Sequence, residues 1–315
     1  MSRPAPLRAL LPVLALLGVA VLAGCANREE PAEPAPGDAA FPVTVRAEGA
    51  PAVTLEKRPE RIVSLSPSAT ETLFAVGAGQ QVVAVDNQST HPPQAPRTDL
   101  SGLNLDPEAI LAHSPDLVVV SADRENQLTG ALGKAGVRTL VLPDARTLQA
   151  AYDQFALVGT ATGHADEGAD LARRTREDIE KIVADTPKPN PPLTYYHELD
   201  PTYYTTTSAT FIGQVYGLFG LVNIADGDDP NASGGYPQLS AERILRANPD
   251  LIFLADTNCC GQNAETVAAR PGWDTLDAVK EGRVYPLNDD VASRWSPRVV
   301  DLVHAVADAV RGAGS

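Results

Sequence analysis

Chemistry in this chain would have to come from few side chains. The 315 residues include five histidines, three cysteines and two tryptophans. A hydrolase needs a nucleophile with a base in reach, and no Gly-x-Ser-x-Gly occurs. Gly77-Ala78-Gly79 lacks the third glycine of a dinucleotide loop and follows a predicted helix, where that loop would need a strand. A receptor for a free transition metal needs several convergent imidazoles or carboxylates. His113, His164 and His304 instead fall in or near predicted helices, far apart in sequence. Only His91 and His197 fall at the ends of predicted strands, where open α/β sheets bind ligands. The chain reads as a binding protein with no catalytic group and no resident cofactor.

The same rule about strand ends nominates the other candidates. The loops after predicted strands carry Ser66-Pro67-Ser68, Asn87 to His91, Ser121 to Arg124, Tyr203-Tyr204, Tyr236, Asp256 to Cys260 and Asp290 to Trp295. From these, Ser66, Ser68, Asn87, His91, Arg124, Tyr203, Tyr204, Tyr236, Arg294 and Trp295 are the expected ligand contacts. Tyrosine and tryptophan offer a flat apolar face with a polar tip. Arg124 and Arg294 could grip an anionic group. Pro92-Pro93 removes two backbone donors behind His91 and holds it extended.

The elements that position these loops are organised around a segment that occurs twice. DPEAILAHSPDLVV begins at Asp106 and SAERILRANPDLIF at Ser240, with Glu108 and Glu242 equivalent and 134 residues apart. Solenoid repeats run at ~20–50 residues, so this offset fits two similar lobes. In each copy a short oxygen-bearing residue, Asp106 or Ser240, caps a helix. Glu108 and Glu242 fall in the first turn, near the positive end of the helix dipole. Pro115 and Pro249 stop the helices. The apolar runs that follow, Leu117 to Val120 and Leu251 to Leu254, do not alternate, as parallel strands covered on both faces require.

Around these copies, strands alternate with helices, which predicts parallel βαβ units. Strands are expected at Phe41–Val45, Arg61–Leu65, Gln81–Val85, Arg138–Leu142 and Thr194–His197. Ser68-Ala69-Thr70-Glu71 reads as a capping box opening a helix over Ser68–Val76. Further helices are expected near Leu128–Ala135, at Phe211–Phe219 and from Arg298. Thr147 to about Ala184 is helical with no strand candidate, and a helix of ~20 residues spans ~30 Å. It is read as a rigid connector between lobes. The expected fold is α/β, two Rossmann-like lobes with parallel sheets joined by a single long α-helix. The formal charge of −15 argues against nucleic acid and against docking on anionic lipid.

The N-terminus is an address. Arg3 and Arg8 precede a short apolar run, Leu10 to Ala20, and Leu22-Ala23-Gly24-Cys25 resembles a bacterial lipobox. The resemblance implies cleavage before Cys25 and lipidation of its thiol. Residues 1–24 are then a signal peptide and 25–40, rich in Pro and Glu, a disordered tether. The N-terminal lobe is assigned to 41–145, the connector to 146–186 and the C-terminal lobe to 187–315. Cys259 and Cys260 are adjacent; two free thiols or a vicinal bridge are both open.

Together with the lipobox, Arg61-Ile-Val-Ser-Leu-Ser-Pro-Ser-Ala-Thr-Glu71, Pro115-Asp-Leu-Val118, Tyr236-Pro-Gln-Leu-Ser-Ala-Glu242 and Ser296-Pro-Arg298 resemble the iron-siderophore and vitamin B12 class of ABC-transporter substrate-binding proteins. The resemblance covers nearly all of 41–310. It implies an extracytoplasmic lipoprotein, anchored to the outer face of the cytoplasmic membrane or periplasmic, and monomeric. It implies a metal chelate held between the lobes for delivery to a permease and its ATPase. It also implies that Glu108 and Glu242 meet basic residues of that permease. Asn87 to Gln94 and Tyr236-Pro-Gln resemble cobalamin-binding members, so a corrinoid is the favoured ligand and haem or a ferric siderophore the alternative. A metal-chelating enzyme on the related fold is the remaining, weaker reading. A rigidly held imidazole suits a metal with an open axial position, so His91 is expected to be the axial ligand of a bound tetrapyrrole. The other reading of His91 is a hydrogen bond within the loop or stacking on the ligand.

Overall fold

Strands with buried apolar runs set the frame. The computed structural model describes residues 40–227 and 232–314, all within one compact unit. The expected signal peptide, Cys25 and nearly all of the tether lie outside the described residues. A small antiparallel ribbon comes first, β1 (Val43–Val45) against β2 (Val53–Leu55). Its second strand was not expected.

Two four-stranded parallel sheets follow. The first contains β3 (Ile62–Leu65), β4 (Val82–Val85), β5 (Leu117–Val120) and β6 (Arg138–Val141) in the order β4-β3-β5-β6. The second contains β7 (Thr194–Glu198), β8 (Val222–Asn223), β9 (Leu251–Leu254) and β10 (Val284–Pro286) in the order β10-β9-β7-β8. Counted from its own first strand, each sheet runs 2-1-3-4, so the lobes share one topology. β5 and β9, the strands of the repeated segment, are interior and fully buried. The first sheet is covered on both faces: Ile62, Leu117 and Val119 enter one apolar cluster, Val63, Val118 and Val120 another. The α/β architecture of two parallel-sheet lobes is as read.

The helices follow the caps, with one exception. α1 spans Pro67–Ala75, one residue ahead of the expected start, because Ser66 is its cap and takes the Ala69 N–H at 3.4 Å. The capping box at Ser68–Glu71 does not form; Glu71 is turned toward the other lobe. α2 (Pro107–Leu111) is capped by Asp106, which accepts from the N–H groups of Glu108 at 2.9 Å and Ala109 at 3.3 Å. α3 is Gln127–Lys134.

The connector is a helical pair. α4 (Leu148–Thr162) ends at Gly163, whose φ of 79° favours glycine, and α5 (Ala165–Ala184) supplies the expected 20-residue helix. The two helices touch backbone to backbone: a Cβ on Gly159 would stand 2.7 Å from the Gly168 Cα. α5 then leads into β7. α6 (Phe211–Leu218) and α7 (Ala241–Ala247) follow, the latter capped by Ser240. Four one-turn helices were not expected: α8 (Thr257–Cys260), α9 (Ala264–Ala268), α10 (Asp277–Lys280) and α11 (Asp289–Ala292). α12 (Val299–Ala313) packs on α5 and α6 and closes the core of the second lobe. Among the described residues, no helix is long and apolar enough to cross a membrane.

Candidate ligand-binding cleft

In a parallel sheet of this order, ligands bind beyond the carboxyl ends of the strands, at the switch point between the first and third strands. A cavity of about 550 Å³ has walls from both lobes, from the loop after edge strand β6 of the first sheet and from segments after β7, β8 and β10 of the second. Asp144, Ala145 and Arg146 come from the loop after β6. Ala209, Thr210, Phe211 and Ile212 form the start of α6. Gly234, Tyr236, Ser293 and Trp295 complete the lining. A hollow of about 510 Å³ beside α2 is walled only by residues 98–113 of one lobe. The shared cavity is therefore the candidate site, with several apolar walls and a few polar groups.

Local chemistry fixes each wall. The Arg146 carbonyl accepts from the Gln214 side chain at 2.5 Å, which pins the loop after β6 to α6. Thr210 caps α6 by accepting the Gly213 N–H at 3.0 Å. Gly235 has φ +97°, and a Cβ there would lie 2.8 Å from Thr210 Cγ2, so the turn that presents Tyr236 requires glycine. Trp295 is half-buried and backs onto the second lobe's core.

The polar groups of the wall act on one another. Burial pushes the Tyr236 phenol above its ordinary pKa and nearby Asp144 adds to this, while Arg146 opposes it. The phenol stays protonated and can donate. Burial by the cleft walls also raises the Asp144 carboxyl, against the pull of Arg146, although the residue keeps solvent contact on one side.

A latch joins the lobes beside this cavity. Glu71, 4 % exposed on α1, receives Arg294 Nη1 at 3.0 Å and Arg298 Nε at 2.8 Å, with a second bond from the Arg298 guanidinium. Arg294 also donates to the Gln88 carbonyl at 3.0 Å and to Asp290 at 2.5 Å, and Thr90 donates to Asp290 at 2.6 Å. Burial alone would raise the Glu71 carboxyl. Bonds from Arg298, Ser296 and Arg294 outweigh it and hold the group below the ordinary carboxylate range.

The predicted contacts divide accordingly. Tyr236 and Trp295 share the cavity. Ser66 and Ser68 are buried within the first lobe around α1. Tyr203 stacks on Trp273 with ring centroids 5.7 Å apart, so its face is spent inside the second lobe. Tyr204 is 40 % exposed and bridges to Gln238. Arg294, expected to meet a ligand anion, is buried and satisfied by the latch. Asn87 and Arg124 are exposed, and His91 is half-buried next to Thr90 at the lobe junction; none of the three lines the cavity. Glu108 and Glu242 are both exposed in the first turns of their helices. Its own backbone N–H and the Ser240 hydroxyl hold the Glu242 carboxyl below its ordinary range.

The sequence reading missed Asp144, Arg146, Phe211 and the role of Glu71. The loop after β6 meets the rule that nominates the others. A further polar cluster sits under the second lobe's strand ends. Arg270 clasps buried Glu198 with two bonds of 2.6 and 2.5 Å and lies over the Trp273 ring at 4.6 Å. Asp256, fully buried beside Glu198, is pushed well above the ordinary carboxyl range by burial and by that neighbouring carboxylate. Cys259 and Cys260 are joined as a vicinal disulfide on α8, whose Thr257, Asn258 and Cys259 N–H groups all donate to Asp289.

The arrangement matches known proteins. A periplasmic binding protein family profile matches residues 62–291. An uncharacterized ABC transporter substrate-binding lipoprotein of Bacillus subtilis is 31% identical, over 94% of this chain and 94% of its own length. A cobalamin-binding protein of Halobacterium salinarum is 31% identical, over 91% of this chain and 79% of that protein. The solved structure of the vitamin B12-binding protein of Vibrio cholerae aligns with a TM-score of 0.65 at 26% identity, covering 82% of this chain and 98% of that one.

Proposed function

The chain belongs to the periplasmic binding protein family and is the substrate-binding protein of an ABC importer; on that premise we propose that it captures a corrinoid between its lobes. The observation that carries this is the cavity shared by both lobes, where Phe211, Tyr236 and Trp295 supply flat apolar walls and Asp144 and Arg146 supply polar ends. The similarity to proteins described as binding cobalamin or vitamin B12 supports the choice of chelate. A tetrapyrrole lying on these walls extends past them, so Asn87, His91 and Arg124 meet what protrudes. His91, meeting the periphery of the ligand, then serves by a hydrogen bond or by stacking, the other role read for it, and does not reach the central metal.

Delivery follows from Glu108 and Glu242, one on each lobe and both exposed in the first turn of a helix. Each pairs with a basic group of the permease, fixing orientation across the two lobes; charge complementarity gives register and on-rate. The latch at Glu71 keeps the two carboxylates at a set spacing. The thiol of Cys25 carries the lipid that holds the protein at the membrane, and Cys25→Ser abolishes membrane association in fractionated cells. The ligand is tested by titrating the purified tether-less domain with cyanocobalamin, haemin and a ferric hydroxamate while recording visible absorbance. Saturable one-to-one binding of cyanocobalamin is expected. Binding of haemin or the hydroxamate alone overturns the corrinoid reading.

A further inference from the structure

We propose that Asp144 sets the charge class of the ligand, admitting uncharged amide-bearing chelates and turning away anionic ones. The inference rests on the cavity being the ligand site. Its starting point is a charge count along the walls. The lining holds one guanidinium, Arg146, and one carboxylate, Asp144. The two act electrostatically on each other and both act on Tyr236, so the three groups form one polar end of the cavity. Among the described residues neither Asp144 nor Arg146 is tied into a salt bridge, so both are left to meet a ligand. The other arginines near the cleft do not shift the balance. Arg294 and Arg298 are committed to Glu71, and Arg124 is not part of the lining. The wall is formally neutral, in a chain that carries −15 overall.

Hydrogen-bond chemistry turns this balance into selectivity. A carboxamide has both donors and acceptors. Its NH₂ donates to Asp144 while its oxygen accepts from Arg146 or from the protonated Tyr236 hydroxyl. An ionised carboxylate has acceptors only. It pairs with Arg146 but faces Asp144 as a like charge. An Arg alone at this place would favour anions; Asp144 cancels that preference.

The test compares two corrinoids with one macrocycle. Dicyanocobinamide bears carboxamides at its edge, and dicyanocobyrinic acid bears carboxylates there. Affinities for both are measured by absorbance titration on the mature chain at fixed ionic strength. The proteins are the unaltered chain, Asp144→Asn, and Glu265→Gln on exposed α9 as a control for net charge. Asp144 sits on the cleft rim with solvent contact, so its replacement leaves the fold intact, and a thermal melt confirms this. Asparagine keeps an acceptor for the amide, so cobinamide affinity stays within about threefold. Asp144 is exposed to solvent, so a screened like-charge contact there is worth about fivefold in affinity. The preference for cobinamide over cobyrinic acid therefore falls about fivefold in Asp144→Asn and is unchanged in Glu265→Gln. A preference within about twofold of the unaltered chain overturns the role of Asp144 while the cavity stands. An equal fall in Glu265→Gln overturns it in favour of net charge. Binding of neither corrinoid by any of the three proteins overturns the cavity reading itself, and this inference with it.

Discussion

Replacing Glu71 by glutamine separates an inter-lobe latch from a surface ion pair. The Glu71 side chain is 2 % exposed, and the two guanidiniums it neutralises are 9 % and 21 % exposed. Removing one member of a buried pair costs ~3–5 kcal/mol, because the other charge stays buried. Arg294 keeps Asp290 and Arg298 keeps some solvent contact, so about 2–3 kcal/mol is expected. For a domain of this size that lowers the melting temperature by about 5–10 °C. The comparison is Arg173→Gln, whose partners Asp170 and Glu177 are more than half exposed; such a pair is worth at most ~0.5 kcal/mol. The pH dependence gives a second signature. The folded-state pKa of Glu71 is depressed, so its contribution is fully present above the unfolded carboxyl value of ~4.5. It is lost as pH falls through the lower folded value. Glu71→Gln removes this part of the acid limb of stability. Differential scanning fluorimetry between pH 3 and 7.5, with X-ray scattering for the lobe spacing, reads both effects. A melting point within about 1 °C of the unaltered chain, no larger a change than Arg173→Gln gives, refutes the latch.

His197 is fully buried, bonded through Nδ1 to the Tyr216 hydroxyl at 2.7 Å, and burial lowers its pKa to about 3. The unfolded imidazole takes up a proton that the folded one refuses, so stability falls as pH drops from ~6.5 toward 3, by about 2 kcal/mol at pH 5; urea unfolding at pH 7.5 and 5 shows this fall, and His197→Phe flattens it. For docking, Glu108→Gln with Glu242→Gln leaves ligand affinity unchanged but abolishes uptake in cells expressing the permease; normal uptake at normal expression contradicts the pairing.

What could be read from the chain and what could not follow from how far each signal reaches. Leu117 to Val120 and Leu251 to Leu254 announce buried parallel strands by composition alone, and the caps Asp106 and Ser240 with Pro115 and Pro249 bound their helices locally. Such signals need no knowledge of the rest of the fold. Two-residue β8 and the one-turn helices α8 to α11 are too short to carry a period. Glu71 was misread because a glutamate three residues after a serine satisfies the capping pattern, whereas its partners Arg294 and Arg298 lie more than 220 residues away. Tyr203 and Tyr236 look alike in sequence, yet one stacks on Trp273 and the other faces the cavity. Only the packing of the second lobe decides between them. Asp144 and Arg146 were within reach, being the first polar residues past a predicted strand.

The central claim is that a corrinoid rests on the aromatic walls between the lobes. Isothermal titration of the mature chain with cyanocobalamin, alongside Trp295→Ala and Tyr236→Ala, tests it most directly. Tyr236 is exposed and Trp295 half-buried against the second lobe's core, so a thermal melt checks that each variant remains folded. A flat ligand face stacked on such a ring is worth ~1–3 kcal/mol, which is about fivefold to a hundredfold in affinity. The account predicts saturable binding to the unaltered chain, weakened at least about fivefold by each substitution. Binding of unaltered affinity by both variants would contradict it.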